Sequence, residues 1–182
     1  MGLSLTPFLI LYKMACTTLE AIVKGCDNNI GSIVKIYIND QDEVTAVNAN
    51  TATWIIGSIT HTSPFLEFEF RRNTSNYTEE AAIDLINGSS FVTQTINLMF
   101  HRREAAKSLA IKILGEGQRD LSVVVLDGNG IYWYFDKVQV TAYGEGSGTA
   151  KADGSKYSLV LTSEAEHLAY EVDSTVIAGL LV

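Results

Sequence analysis

Apolar and polar residues alternate with a period of two along most of the chain, which is the pattern of β-strands that bury one face. In the clearest case, the run from Phe65 to Phe70 places three apolar side chains on one face and the carboxylates of Glu67 and Glu69 on the other. The same pattern, or a run of β-branched residues, predicts strands over Ile33–Ile38, Val44–Val47, Thr53–Thr60, Phe91–Phe100, Leu121–Leu126, Ile131–Phe135, Lys137–Tyr143, Tyr157–Thr162, Ala169–Val172 and Thr175–Val182. We therefore expect a mainly β fold.

Turn-forming residues connect several of these strands. Asp127–Gly130 is the strongest signal, because Asp-Gly and Asn-Gly pairs readily adopt the left-handed conformations of tight hairpin turns. Asn39–Asp42 predicts a second hairpin, which would join Ile33–Ile38 to Val44–Val47. Gly144–Gly154 contains four glycines and is interpreted as a flexible loop at the tip of a hairpin.

One long helix is predicted, over Arg103–Leu114. Its apolar residues recur at helical spacing, and the stripe consists of Ala106, Leu109, Ala110, Ile113 and Leu114. Gly115 follows where a helix would end, and we expect the stripe to lie against a face of the sheet. Two weaker patterns remain: Thr78–Asp84 suits a single helical turn, and Thr17–Lys24 suits a short helix or a strand equally well.

Length and composition are those of a single folded domain, residues 1–182. A chain of 182 residues can bury roughly 70% of the surface that it exposes when unfolded. With 47% hydrophobic and 19% charged residues, intrinsic disorder is excluded, and the net charge of −8 argues against a surface that grips nucleic acid or anionic lipid. The apolar run Pro7–Tyr12 is far shorter than the roughly 20 residues of a membrane helix, so no membrane association is expected.

Candidate catalytic chemistry is scarce. The three histidines, His61, His101 and His167, lie outside the spacings typical of metalloproteases and serine hydrolases. The best metal-like cluster groups one histidine with nearby carboxylates: His167, Glu164, Glu166 and Glu171. Acids in such a turn are more often simply solvated, and Asp40–Glu43 lacks the later glycine and glutamate of a calcium loop. We therefore expect no catalytic, cofactor-binding or metal-binding residue, and no enzyme.

Charge is unevenly distributed along the chain. Between residues 39 and 104, nine acidic residues face four arginines and no lysine, so this third of the chain holds −5 of the net −8. Within it, Asn48–Thr62 carries no formal charge and includes Trp54, Ile55 and Ile56. Because an apolar stretch is unfavourable in water, we expect these three residues to pack on a neighbouring subunit.

A family resemblance rests on several segments together: Ile33–Ile38, Phe65–Phe70, the Arg71–Asn76 loop, the helix after the strand that ends at His101, and Tyr157–Thr162 after the glycine-rich loop. In combination they resemble the tail tube (major tail) proteins of bacteriophages that infect Bacteroidetes. The resemblance implies a β-sandwich or barrel with one flanking α-helix, hexameric rings stacked into a tube, and a lumen for DNA passage. It also implies a virion protein that is made in the bacterial cytoplasm and contacts other tail or neck proteins, with no catalytic residues.

An acidic lumen would suit such a conduit, because it would repel the phosphates of DNA that must pass and be released. Glu67 and Glu69 are the candidate lumen-facing residues, since two like charges on one face need a wet environment; an ordinary solvated outer face explains them equally well. Other functions stay open. They are a neck, ring or decoration protein of the same virions, a small β-barrel enzyme or ligand-binding module, and a carbohydrate-binding module that uses Trp133 and Tyr134.

Overall fold

Strands dominate the computed structural model, which describes residues 21–182 and is 51% strand. In chain order the elements are β1 (Ile33–Asp40), a 3-10 turn (Gln41–Glu43), β2 (Val44–Asn50), β3 (Ile55–His61), β4 (Leu66–Glu69), β5 (Asn76–Asp84), β6 (Ser89–His101), α1 (Ala105–Glu116), β7 (Leu121–Asp127), β8 (Tyr132–Gly146), β9 (Lys156–Ala165), β10 (Tyr170–Val172) and α2 (Ser174–Leu180). The prediction of a mainly β fold is confirmed. The one long helix predicted over Arg103–Leu114 is present as α1, and α2 adds a short second helix that was not predicted.

The strands form one sheet that curls into a half-barrel. One part has the order β2-β3-β10-β8-β7-β1-β4, and β8 continues into the other part, where it pairs with β9, which is followed by β6 and β5. β8 bends at a bulge at Asp136 and Lys137, where two residues oppose Ser122 and Lys137 has a φ of 49°. The two strands predicted over Ile131–Phe135 and Lys137–Tyr143 are therefore one bent strand.

Two apolar cores hold the sheet together. The larger lies between the two parts of the curled sheet and includes Ile36, Val123 and Phe135 on one side, with Leu98 and Leu161 on the other. The smaller lies on the opposite face of β1 and β7, where α2 covers it. Since β7 is buried on both faces, its sequence is a continuous apolar run instead of an alternating one.

The hairpin predicted at Asn39–Asp42 does not form. The 3-10 turn Gln41–Glu43 diverts the chain, so that β1 pairs with β4 and β7 while β2 pairs with β3. The hairpin predicted at Asp127–Gly130 does join β7 to β8, and the Asp127 carboxylate accepts hydrogen bonds from the backbone N–H groups of Asn129 and Ile131. Turn residues alone do not specify which strands pair, because that choice depends on which faces are buried.

Two other local predictions are wrong. Thr78–Asp84 is not a helical turn but most of β5, which pairs residue by residue with β6; this pairing outweighs the helical preference of its glutamates and alanines. Thr175–Val182 is not a strand, because α2 begins where the Asp173 carboxylate accepts a hydrogen bond from Thr175 N at 2.9 Å.

The N-terminal predictions fall largely outside the described residues. Pro7–Tyr12 lies wholly outside them, as does Thr17–Lys24 except for its last four residues, which have no regular secondary structure. Within residues 21–182, neither helix combines the length and the apolar character that crossing a bilayer requires.

Candidate functional site

Three strands lie at the edges of the sheet. β2 and β4 end the first part of the sheet and β5 ends the second, so each is hydrogen-bonded on one side only within residues 21–182. β5 has nine residues and therefore presents the longest of these edges. Unpaired edges are sites where a sheet can accept another strand.

The predicted alternation along β4 is confirmed. Glu67 and Glu69 share one face, where the Nζ atom of Lys35 lies 2.6 Å from Glu67 Oε1 and 3.0 Å from Glu69 Oε1. Hydrogen bonds to Glu67 and then to Glu69 raise the pKa of the Lys35 amine. Lys35 thus holds the two like charges together, and the three side chains keep a net charge of −1. That this face lines a channel stays a prediction.

The opposite face of β4 is only partly covered. Phe68 and Phe70 pack on the main core, and each ring contacts Phe100, at centroid distances of 6.0 and 4.9 Å. Leu66, predicted to share their core face, is 61% exposed. Leu66 therefore stays open to solvent at the edge of the sheet, where β4 has no further neighbouring strand within the described residues.

The helix predicted over Arg103–Leu114 is present as α1, but the prediction that its apolar stripe lies against the sheet is largely wrong. Ile111 is its buried residue, while Leu109 and Ile113 of the predicted apolar stripe are 58% and 53% exposed. The Tyr157 hydroxyl explains the rotation, because it hydrogen-bonds Ser108 Oγ at 2.7 Å and accepts from Glu104 N at 3.0 Å.

The far end of α1 approaches β8 closely. A Cβ atom at Gly115 would lie 2.5 Å from Cε1 of Tyr143, so only glycine lets the helix sit at this distance with the ring in place. The two ends of α1 are therefore fixed by side chains of β8 and β9. Leu109 and Ile113 of the apolar stripe point away from the sheet, while Leu114 packs on the main core.

The outward stripe of α1 borders a groove of about 270 Å³. We name it the α1 groove, and its apolar lining consists of Ile38, Leu66, Phe68, Ala110, Ile113, Leu114 and Leu121. Arg119 stands at one side of this groove, where its Nη1 atom lies 2.5 Å from Asp40 Oδ2. An apolar groove with a charged rim is typical of a protein contact surface.

A second apolar surface lies at the end of the β5–β6 hairpin. β9 follows β6 only as far as Val92, and residues 80–91 of the hairpin are all exposed. We name as the hairpin tip its large apolar residues, Ile83, Leu85, Ile86 and Phe91, of which Leu85 and Ile86 are 90% and 96% exposed. The turn is held by the Asp84 carboxylate, which accepts from the backbone N–H groups of Ile86 at 2.8 Å and Asn87 at 3.1 Å.

Sequence reasoning missed the hairpin tip. A signal was present, because Ile83, Leu85 and Ile86 surround Asp84 and precede Asn87-Gly88, a favoured hairpin turn. The expectation of a helical turn over this segment hid it.

The three predicted interface residues lie in different environments. Ile56 is fully buried in the subunit's own smaller core, and Ile55 is half-buried where β3 pairs with β10. Trp54 is partly exposed; its ring stacks on Tyr170 at 4.2 Å, and its Nε1 donates to the carbonyl oxygen of Ala169 at 3.0 Å. Of the three, Trp54 is the one whose side chain a neighbouring subunit could contact.

The residues predicted as possible metal or carbohydrate ligands make contacts within the subunit instead. Within residues 21–182, no group of three or more His, Cys, Asp or Glu side chains is placed to hold a metal ion. His167 instead packs edge-on against Trp54 and Tyr170. Tyr134 is buried, and burial raises the pKa of its hydroxyl, while the half-buried Trp133 donates to Asp127. These two aromatic residues therefore do not form the exposed sugar-stacking surface that a carbohydrate-binding module needs.

The glycine-rich segment Gly144–Gly154 is divided between strand and loop. β8 continues to Gly146, and the loop that follows is closed by the Asp153 carboxylate, which accepts from the backbone N–H groups of Thr149 and Ala150 at 2.9 and 2.8 Å. These hydrogen bonds, that from Ala150 first, lower the pKa of the Asp153 carboxyl.

Comparison of the chain with known protein families, with curated proteins and with solved structures finds no match. Its function must therefore be argued from its own surfaces.

Proposed function

We propose that the protein is a virion structural subunit that assembles into rings stacked as a phage tail tube. The observation that carries the proposal is the set of sheet edges on β2, β4 and β5, each paired on one side only within residues 21–182. A protein must shield or pair such edges, and pairing them between copies around a ring leaves no free end. The resemblance to tail tube proteins favours six copies in each ring.

The charge of the subunit supports a role in DNA passage. The net charge of −8 disfavours binding of a polyanion, and a wall that repels phosphates lets DNA slide without being captured. We assign the face of β4 that carries Glu67 and Glu69 to the lumen, because its net charge is negative even with Lys35 paired to both.

Sedimentation of the purified chain over a range of concentrations tests assembly. The proposal predicts species of ring size and larger at micromolar concentration. A chain that remains monomeric at the highest concentration reached would contradict it.

Genome ejection by phage that carry altered subunits tests the lumen assignment. Glu69→Lys should leave tubes intact and slow ejection, most strongly at low salt, where charge screening is weak. Glu166→Lys makes the same charge change on an exposed loop residue and should have no effect if that loop faces outward. Equal ejection rates for the two variants at all salt concentrations would remove Glu69 from the lumen.

A small-molecule-binding module is the second candidate, and one cavity favours it. A cleft of about 330 Å³ between β2 and the body of the sheet is lined by Gln94, Tyr134 and His167 among others. Gln94 is buried, with its amide nitrogen donating to Glu79 Oε1 at 2.7 Å and its oxygen accepting from Ser163 Oγ at 2.8 Å. Because these polar groups satisfy one another, the cleft has little unpaired polarity to offer a ligand. A stable monomer whose melting temperature rises with a small ligand would favour this second function.

A further inference from the structure

The hairpin tip and the α1 groove lie at opposite ends of one strand. β6 begins beside the tip at Ser89 and ends at His101, just before α1. Its 13 residues span roughly 40 Å at about 3.3 Å per residue. The tip of a subunit therefore cannot reach the groove of the same subunit, but it can reach that of another copy.

The two surfaces match in chemistry. Both are apolar, and both expose side chains of the size that fills a pocket: Leu85 and Ile86 on the tip, Ile113 and Leu66 at the groove. The tip is acidic. Residues 80–91 include Glu80 and Asp84 and no basic residue, which makes −2.

The helix beside the groove is basic. Residues 102–119 hold five basic and two acidic residues, a net charge of +3. With Glu145 and Asp40, the ion-pair partners of Arg103 and Arg119, the helix keeps +1, and within the groove lining Arg119 and Asp40 balance each other. The charge beside the groove therefore does not repel the acidic tip, whereas tip against tip would oppose like charges.

We propose that the hairpin tip of one copy packs in the α1 groove of the next copy. The occupant of the groove is thus a second copy of this chain. Such a contact joins two different surfaces, so it can repeat head to tail and build a ring or an open filament. The inference rests on the proposed self-assembly and adds a side-chain contact to the pairing of sheet edges.

Complementation between two full-length variants tests this contact. Ile86→Asp alters the tip alone, and Ile113→Asp alters the groove alone; both residues are more than half exposed, so the subunit should keep its fold, which circular dichroism checks. Each variant by itself should associate roughly tenfold more weakly than wild type or worse, the usual effect of disrupting a central apolar contact. Val182→Asp, at a residue that is 89% exposed elsewhere, is the matched control and should associate as wild type does.

The mixture of the two variants is decisive. Ile86→Asp chains keep an intact groove and Ile113→Asp chains keep an intact tip, so the mixture should form heterodimers through the restored contact, an association that neither variant shows alone at the same concentration. A mixture in which no heterodimer forms overturns the proposal, as does wild-type association by either variant alone.

Two further outcomes separate this inference from the proposed function. If only Ile113→Asp loses association, another segment or partner fills the groove and the inference is wrong, while assembly itself stands. If wild type is monomeric at all concentrations, the proposed function and the inference both fail.

Discussion

Replacing Tyr157 by phenylalanine tests what sets the orientation of α1. The side chain is 2% exposed, and its hydroxyl is the group that contacts the first turn of the helix. Tyr157→Phe removes only that oxygen, so the packing of the ring against the core is kept. Three hydrogen bonds are lost: the one with Ser108 Oγ at 2.7 Å, the one accepted from Glu104 N at 3.0 Å, and the one donated to the Glu104 carbonyl oxygen at 3.1 Å.

The expected loss of stability follows from these three hydrogen bonds. Each contributes about 0.5–1.5 kcal/mol net, and an unpaired donor that stays buried adds more. Glu104 is exposed at its position and Ser108 Oγ lies 3.5 Å from Glu145 Oε2, so water and that carboxylate can partly replace the hydroxyl. We therefore expect the free energy of unfolding to fall by about 1–2 kcal/mol.

Urea unfolding followed by circular dichroism measures this loss. With a slope of about 2 kcal/mol per molar urea, the midpoint should fall by about 0.5–1 M with the slope unchanged. Tyr143→Phe is the control, because Tyr143 is 51% exposed and its hydroxyl has no hydrogen-bond partner within residues 21–182; its midpoint should not move. Equal midpoints for the two variants would show that the hydroxyl does not hold the helix, and that something else turns its apolar stripe outward.

Two further predictions concern the loops. Gly128→Ala should lower the free energy of unfolding by about 1–3 kcal/mol, because its Cβ would lie 2.5 Å from a backbone carbonyl oxygen. Gly57→Ala is the control, because no atom lies within 4 Å of its Cβ and no clash of this kind arises. Thermal melts compare the two variants. Backbone hydrogen bonds lower the pKa of Asp153 and Asp173 in the folded state. These two carboxylates therefore stabilise the fold at pH values above the ordinary aspartate pKa of about 3.9, and this stabilisation disappears as the pH falls through their lowered pKa values. Urea midpoints below about pH 4 should therefore fall less in Asp153→Asn than in wild type; an unchanged pH profile would contradict the assigned hydrogen bonds.

Local pattern was enough to predict much of the sheet. The alternation of β4 placed Glu67 and Glu69 on one face correctly, and Asp127–Gly130 correctly marked the β7–β8 turn. Both features depend on neighbours in sequence, which is the range over which side-chain period and turn chemistry act.

Features that depend on distant residues could not be predicted in this way. The apolar stripe of α1 indicated a buried face, but the Tyr157 hydroxyl, 53 residues from Glu104 in sequence, turns Leu109 and Ile113 outward. Trp54–Ile56 suggested a surface patch, yet β10 and α2 cover Ile56 from the far end of the chain. The outward residues of the stripe and the hairpin tip are thus among the large apolar residues that one subunit leaves exposed, and they became visible only with the fold.

Electron microscopy of the purified chain is the strongest test of tube assembly. We expect rings with a central channel, stacked into tubes of uniform diameter, with the tip of each subunit placed against the α1 groove of another. Images that show only compact single subunits, or irregular aggregates without a channel, at concentrations well above those of the sedimentation experiment would contradict it.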